Sequence, residues 1–468
     1  MIFFSIYYLR FFTSLISVLC FFNIIYSYYF NLYLNVDSYF YTLLISSLPL
    51  TSYFIRKKEI SKINIYEKIL AVVSGYLLLP IIISLPYFFS IYNISFLDAY
   101  FESISGFTST GFTIFENIKH IDQSLILWRS STQWIGGLYF LFSIIFLIDI
   151  YDDSFKRSLT NFISFNSSEV FKQTTKIFFL YSTLTLSIFI ILNIFSFRSF
   201  DSLNLAFTLI SSGGFLPVNE LSIIVKNNYQ TVILSILMLL SFLSIFFIYN
   251  LFFLKKKNVD FFYEDLHLIL YFVVVLTIFF LFFSFKNDFL NNLLSICSSI
   301  SNIGFALETQ KSNLVLVFLI LVIIGGSFFS TSSGLRFIKI YSLFKYSMNQ
   351  ILSFSRPKNI FMNKLLFTKI NFDFNEINKY FLTLLIFVLS LLILTSLLSL
   401  SGIKFENSFK LSILTLMNTV NSSIYGLAEF NFNDLHFLTK YTLIFFMIVG
   451  RLELLTVLLL VKKFLFKN

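Results

Sequence analysis

Charge is scarce in this chain. Only 12% of its 468 residues are Asp, Glu, Lys or Arg, against 57% hydrophobic residues, and the mean hydropathy is +0.83. No soluble domain could hide that much apolar surface, so the composition predicts an all-α polytopic membrane protein. There are two cysteines; Cys20 and Cys297 stand far apart in apolar surroundings and read as inert buried thiols. The three histidines lack metal-ligand spacing, and no nucleophile–base or metal constellation appears, which argues against an enzyme. The net charge of +10 does not mark a nucleic-acid partner, because the basic residues cluster between apolar runs, where they report topology. The 67 Phe and 26 Tyr are so numerous that single aromatics carry little weight.

Roughly twenty apolar residues cross a bilayer. The candidate spans are 11–31, 39–55, 66–92, 124–150, 171–196, 229–254, 262–285, an interrupted 312–345, 379–401 and 437–461. Basic clusters follow every even-numbered span: Arg56-Lys57-Lys58 with Lys62, Lys156-Arg157, Lys255-Lys256-Lys257, 345–369, and Lys462-Lys463. All fall on one side, which the positive-inside rule makes cytoplasmic, so ten spans predict two cytoplasmic termini. The N-terminal run lacks a small-residue cleavage site and reads as a retained first helix.

The other side carries four polar interruptions, "DAYFESISGFTSTGF", "NLAFTLISSGGF", "LNNLLSICSSISNIGF" and "FKLSILTLMNTVNSSIYG", about 100 residues apart. Each follows an odd-numbered span. Together they divide the chain into an N-terminal hairpin, 1–60, and four span, short helix, loop, span repeats: 61–155, 156–258, 259–360 and 361–468. Non-helical backbone at membrane depth must be buried in protein or line a watery path. A short helix entering from outside turns its negative dipole end to the centre, which favours a cation, and an extended return can offer carbonyls in place of hydration water. Four such loops predict a pseudo-fourfold pore. Its filter is expected at Thr108, Ser109, Thr110 and Gly111; Ser211, Ser212 and Gly213; Asn302, Ile303 and Gly304; and Asn421, Ser422 and Ser423. Alignment by the small residues sets Gly111, Gly213, Gly304 and Ser423 opposite one another. The alternative for any one loop is a small-residue helix contact.

Over nearly its whole length the chain resembles the Trk/Ktr/HKT superfamily of potassium transporters, the Trk-type membrane subunit in particular. The resemblance rests on "FESISGFTSTGF" with "LWRSSTQWIGG", on "SSGGF", on "GGSFFSTSSGLRFIK" and on "MIVGRLELLTV". The two leading spans favour the Trk type over the eight-span type. The resemblance implies potassium uptake across a bacterial cytoplasmic (inner) membrane, a homodimer, a cytosolic nucleotide-binding regulatory subunit and no cofactor beyond the transported potassium ion. Two departures stand out. Ser423 occupies a place where the family usually has glycine, a change associated with sodium permeation in HKT-type members; three remaining glycines keep potassium first. In the broken eighth span Phe328 and Phe329 replace small residues and Ser333 replaces glycine.

That break, with Gly325, Gly326, Phe328, Phe329, Ser330, Thr331 and Gly334, is expected to form a gate below the filter, made bulkier by the two phenylalanines. Glycine and hydroxyl residues favour helix poorly there. Arg451, midway along the last span, is a costly intramembrane charge; it either pairs structurally or, as the resemblance supports, stands beside the gate. Glu102 is expected to support the filter through backbone N–H groups or to add negative potential at the entrance. Asp98 and Asp201 read as ordinary helix N-terminal acids, and 345–369 as a docking surface for the regulatory subunit or a solvated loop. Three functions compete: potassium uptake driven by the membrane potential, a sodium-permeable pore of the same fold, and an ion-coupled carrier of a small solute. The near absence of mid-span carboxylates beyond Glu453 and a fourfold repeat disfavour the last.

Overall fold

The computed structural model describes residues 2–51, 65–147, 170–252, 263–283, 289–307, 314–354, 374–428 and 430–452. The proposed repeat boundaries, most of the basic clusters and Glu453 lie outside these. The described residues form sixteen α-helices. The leading pair is α1 (Ile2–Tyr29) and α2 (Val36–Thr51). The first expected repeat follows with α3 (Ile65–Phe88), the short α4 (Phe96–Phe107) and α5 (Gln123–Phe146). The second has α6 (Val170–Ile194), the short α7 (Ser199–Ile210), α8 (Asn228–Phe242) and α9 (Ile245–Phe252). The third has α10 (Tyr263–Phe283), the short α11 (Phe289–Ile300), α12 (Val315–Ile323) and α13 (Phe337–Ser353). The fourth has α14 (Phe374–Leu400), the short α15 (Phe405–Leu416) and α16 (Phe437–Arg451). Among the described residues, five helices are long and apolar enough to cross a membrane, and many of their Phe, Leu and Ile side chains face outward, as a lipid-facing surface requires.

The four short helices are each 12 residues long. α4, α7 and α15 each pack against the long helix before them, and all four short helices are contacted by the helix that ends the preceding group: α5 touches α7, α8 touches α11, α12 touches α15, and α16 returns to α4. The contacts thus close into a cycle. Two glycines set the spacing inside a repeat. A Cβ on Gly136 of α5 would lie 2.0 Å from the Phe107 carbonyl oxygen, and one on Gly450 of α16 would lie 2.4 Å from that of Leu416. In the first and fourth repeats, then, a glycine of the closing span receives the last carbonyl of the short helix.

The run expected as the eighth span is interrupted where the sequence predicts. Helix α12 stops at Ile323; Ile324–Gly325 pairs in parallel with Leu335–Arg336, and α13 begins at Phe337. A second break, unexpected from the sequence, lies in the sixth span, between α8 and α9 at Leu243 and Ser244.

Candidate functional site: four loops around one ring

Each short helix ends in the same way. The residue two past its end has a positive φ: Ser109 at 59°, Ser212 at 55°, Asn302 at 59° and Asn418 at 47°. Its N–H bonds three residues back, from Ser109 to Gly106, Ser212 to Leu209, Asn302 to Ser299 and Asn418 to Thr415. The next N–H reaches five back: Thr110 to Ser105, Gly213 to Thr208, Ile303 to Ser298 and Thr419 to Leu414, at 2.7–3.0 Å. These are four Schellman caps. None uses glycine at the left-handed position, although a side chain there costs about 1–2 kcal/mol, and each of the four side chains makes a contact that glycine could not. Ser212 Oγ donates to the Ser301 carbonyl. Asn302 Nδ2 donates to Thr419 Oγ1 at 3.3 Å and to the Val322 carbonyl at 2.8 Å. Asn418 Nδ2 donates to Thr110 Oγ1 at 3.0 Å and to the Met447 carbonyl at 2.9 Å. Ser109 Oγ accepts from Arg451 Nη2 at 3.2 Å. The loops are therefore stitched second to third, third to fourth and fourth to first.

The caps fix the register, and it differs from the small-residue alignment at two loops. Counting from the left-handed residue, the partners of Gly111 and Gly304 are Gly214 and Val420, not Gly213 and Ser423. Packing agrees. A Cβ on Gly111 would lie 2.8 Å from the Gly214 Cα, one on Gly214 would lie 2.4 Å from the Val420 Cβ, and one on Gly304 would lie 2.7 Å from the Val420 Cγ1. Gly213 instead faces the wall, where an added Cβ would strike the Gln133 amide at 2.2 Å; Gln133 Oε1 accepts the Phe215 N–H there. Asn421, Ser422 and Ser423 lie past the ring in a short turn that includes the one-turn helix Ser423–Tyr425, with Asn421 bonded to its own Leu427 carbonyl. Gly111 and Gly304 have left-handed φ of 82° and 86°, while Gly214 and Val420 do not, so the ring is built from two backbone conformations. Val420 is partly exposed and its isopropyl group reaches both Gly214 and Gly304.

Thr108, Ser109, Thr110, Ser211, Ser212, Asn302 and Ile303 are all buried next to this ring. The Oδ1 atoms of Asn302 and Asn418 are buried without a hydrogen-bond partner. Carboxamide oxygens left with free lone pairs suit a cation better than an anion.

Glu102 is fully buried in α4. Its carboxylate accepts from Ile114 N–H at 2.9 Å, Thr113 Oγ at 3.1 Å and Arg129 Nε at 2.8 Å. Of its two expected roles, the geometry is that of an anchor for the return strand of the first loop, since the paired Arg129 offsets its charge. Arg129, which sequence reasoning did not single out, also stacks on Phe215 of the second loop, 4.2 Å from the ring centroid. Glu102→Ala leaves a buried guanidinium without its counter-charge and should destabilise the protein by about 3–5 kcal/mol; thermal unfolding of the purified protein in detergent reads this as a lowered Tm. Asp98 is not merely a helix N-terminal acid, because it pairs with Lys440 at 2.5 Å.

Below the ring, buried Arg451 donates to Ser333 Oγ at 2.5 Å, Ser109 Oγ at 3.2 Å and the Ser211 carbonyl at 3.4 Å, and lies over Phe140 at 4.1 Å. One guanidinium thus joins the interrupted segment to the first and second loops. Thr331 Oγ donates to the Ile210 carbonyl at 2.7 Å, touching the end of α7. Ser330 bonds within its own segment, to Ser327 and Ser332. Phe328 and Phe329 behave differently from expectation. They pack edge-to-face on each other at 5.0 Å, and Phe329 on Phe246 of α9 at 5.6 Å. These rings anchor the segment against the broken sixth span, and the parts that reach the ring are Thr331 and, through Arg451, Ser333. Gly325 and Gly334 lie against each other, with an added Cβ on Gly334 2.8 Å from the Gly325 Cα, and Gly326 meets the Phe242 carbonyl.

Fold and site together define a multi-pass helical membrane protein in which four loops converge on one buried ring. No family model matches the chain. It is 24% identical over 441 residues to an uncharacterized cation transporter of Methanocaldococcus jannaschii, covering 88% of this chain and 86% of that one. It is also 24% identical over 426 residues to the Trk system potassium uptake protein TrkH of Escherichia coli, covering 86% of each. Its fold matches the crystal structure of the potassium transporter TrkH from Vibrio parahaemolyticus with a TM-score of 0.80, at 20% identity and over 98% of both chains. The resemblance to the Trk-type membrane subunit, drawn first from short motifs, therefore extends through the chain in sequence and in fold.

Proposed function

We propose that this chain is the membrane subunit of a potassium-uptake system of a bacterial cytoplasmic membrane. Ten spans hold both termini in the cytoplasm, and potassium ions pass through the ring of Gly111, Gly214, Gly304 and Val420. The observation that carries this reading is the cycle of four identically capped short helices. Their negative dipole ends converge on the ring, and unpartnered carboxamide oxygens lie beside it. One charge gains about 2.3 kcal/mol per 100 mV on entering a negative interior, so a selective pathway with no coupled ion suffices for accumulation. The segment 325–334 and Arg451 form the gate below the ring. A homodimer and a cytosolic nucleotide-binding subunit that sets the gate complete the system. The named relatives, a cation transporter and potassium uptake proteins, support the transported class.

Sodium permeation is a second reading of the same pathway, and Val420 favours it: one quadrant has a branched side chain where the other three have glycine. Expression in a bacterium unable to take up potassium tests the proposal. Growth at low external potassium supports it, and failure to restore growth with correctly inserted protein counts against it.

A further inference from the structure

The interrupted eighth span is threaded into the break of the sixth. Ser327 N–H donates to the Phe242 carbonyl at 3.0 Å, Ser332 N–H to Ser241 at 3.1 Å, and Ile245 N–H to Phe329 at 3.2 Å. Two N–H groups outside this exchange turn to carboxylates instead: that of Ser244, where α8 has ended, and that of Phe328 at the turn of the segment. Consecutive carboxylates in the first turn of α10 take them. Asp265 Oδ1 accepts from Ser244 N–H at 2.7 Å, and Glu264 Oε1 accepts from Phe328 N–H at 2.9 Å while Oε2 accepts from Ser327 Oγ at 3.2 Å. Asp265 is 3% exposed. Arg336 braces the same segment from its other end, donating to the Ser327 and Ser332 carbonyls and to Ser330 Oγ.

Backbone breaks inside a membrane protein need partners for their freed N–H groups, and a carboxylate is a stronger acceptor than any neutral group in the chain. Two adjacent acids on one rigid helix, each capping a different break, tie that helix to both. We propose that Glu264 and Asp265 are positioning residues that latch the gate segment and the sixth-span break to α10, so that the three shift as one body when the gate moves. The latch rests on the gate assigned above to 325–334. It also locates the lever: displacement of the first turn of α10 withdraws Thr331 from α7 and Ser333 from Arg451 together.

The test compares full-length wild type with Glu264→Gln by amide hydrogen exchange in detergent and by rubidium flux in proteoliposomes. Glutamine keeps the size but loses the charge and one acceptor oxygen. Exchange is expected to quicken about tenfold, the effect of weakening one charge-assisted bond, both in 324–336 and in 241–245, although Glu264 touches only the first. Basal rubidium flux is expected to rise with the rubidium-to-sodium preference unchanged. Glu264→Asp, which keeps the charge on a shorter arm, should fall between the two and serves as the comparison if the glutamine variant misfolds. Exchange that is unchanged, or quickened only at 327–328, overturns the latch. Coupled quickening in a protein that carries no rubidium at all upholds the latch and removes the transport reading instead.

Discussion

Val420→Gly is expected to raise potassium flux through the reconstituted protein by at least about tenfold, equivalent to about 1.4 kcal/mol off the barrier. It should also increase the preference for potassium over sodium. At the ring Val420 lies against Gly214 and Gly304, so its isopropyl group occupies space that an ion and its carbonyl ligands would need on the proposed path. An apolar group there offers no oxygen of its own and crowds the carbonyls, so a dehydrated cation loses coordination in that quadrant. A β-branched residue also cannot take the left-handed backbone seen at Gly111 and Gly304 without strain, so glycine restores the option of aiming the carbonyl inward. Ser423→Gly, three residues on and outside the ring, should leave both properties unchanged. Reversal potentials in mixed potassium and sodium salt check the pair; equal effects of the two substitutions would return the fourth quadrant to Ser423.

Replacing Arg451 with alanine is expected to raise basal flux by about tenfold or more and to weaken control by the proposed cytosolic subunit. Two effects add. The guanidinium is the shared donor that holds Ser333 against Ser109 and Ser211, and losing one hydrogen bond to a charged group releases about 1.5–3 kcal/mol of restraint. A fixed positive charge beside a cation path also opposes the ion, by about 4 kcal/mol at 4 Å for an effective dielectric of about 20. Removing the centre of the interrupted segment should act in the same direction. Flux assays with and without the regulatory subunit, on protein that remains monodisperse, check both; unaltered flux and regulation would dismiss the gate.

The long apolar helices, the four polar interruptions and the break after Ile323 were legible because hydrophobic length and clustered small polar residues are local signals. The ring register was not. In "SSGGF" either glycine could face inward, and only the approach of Gln133 to Gly213 and of Val420 to Gly214 separates them. In the fourth loop the serines of "NSS" drew the alignment three residues too far. The usable signal was Asn418, since asparagine tolerates the left-handed cap and stands where Asn302 stands in the third loop. The sixth-span break has no glycine or proline to announce it: "LLSFLSIFF" reads as continuous helix. Its cause is tertiary, in the exchange of hydrogen bonds with a segment about 85 residues away and in the carboxylate of Asp265. Arg129 was overlooked for the same reason, because its partner Glu102 lies on another helix.

The most direct test is anomalous diffraction from crystals of the full-length protein grown in rubidium salt. The four-loop pathway requires a rubidium peak on the line through Gly111, Gly214, Gly304 and residue 420, strengthened in Val420→Gly crystals. Rubidium bound only elsewhere in both proteins, with the four loops apart, would contradict it.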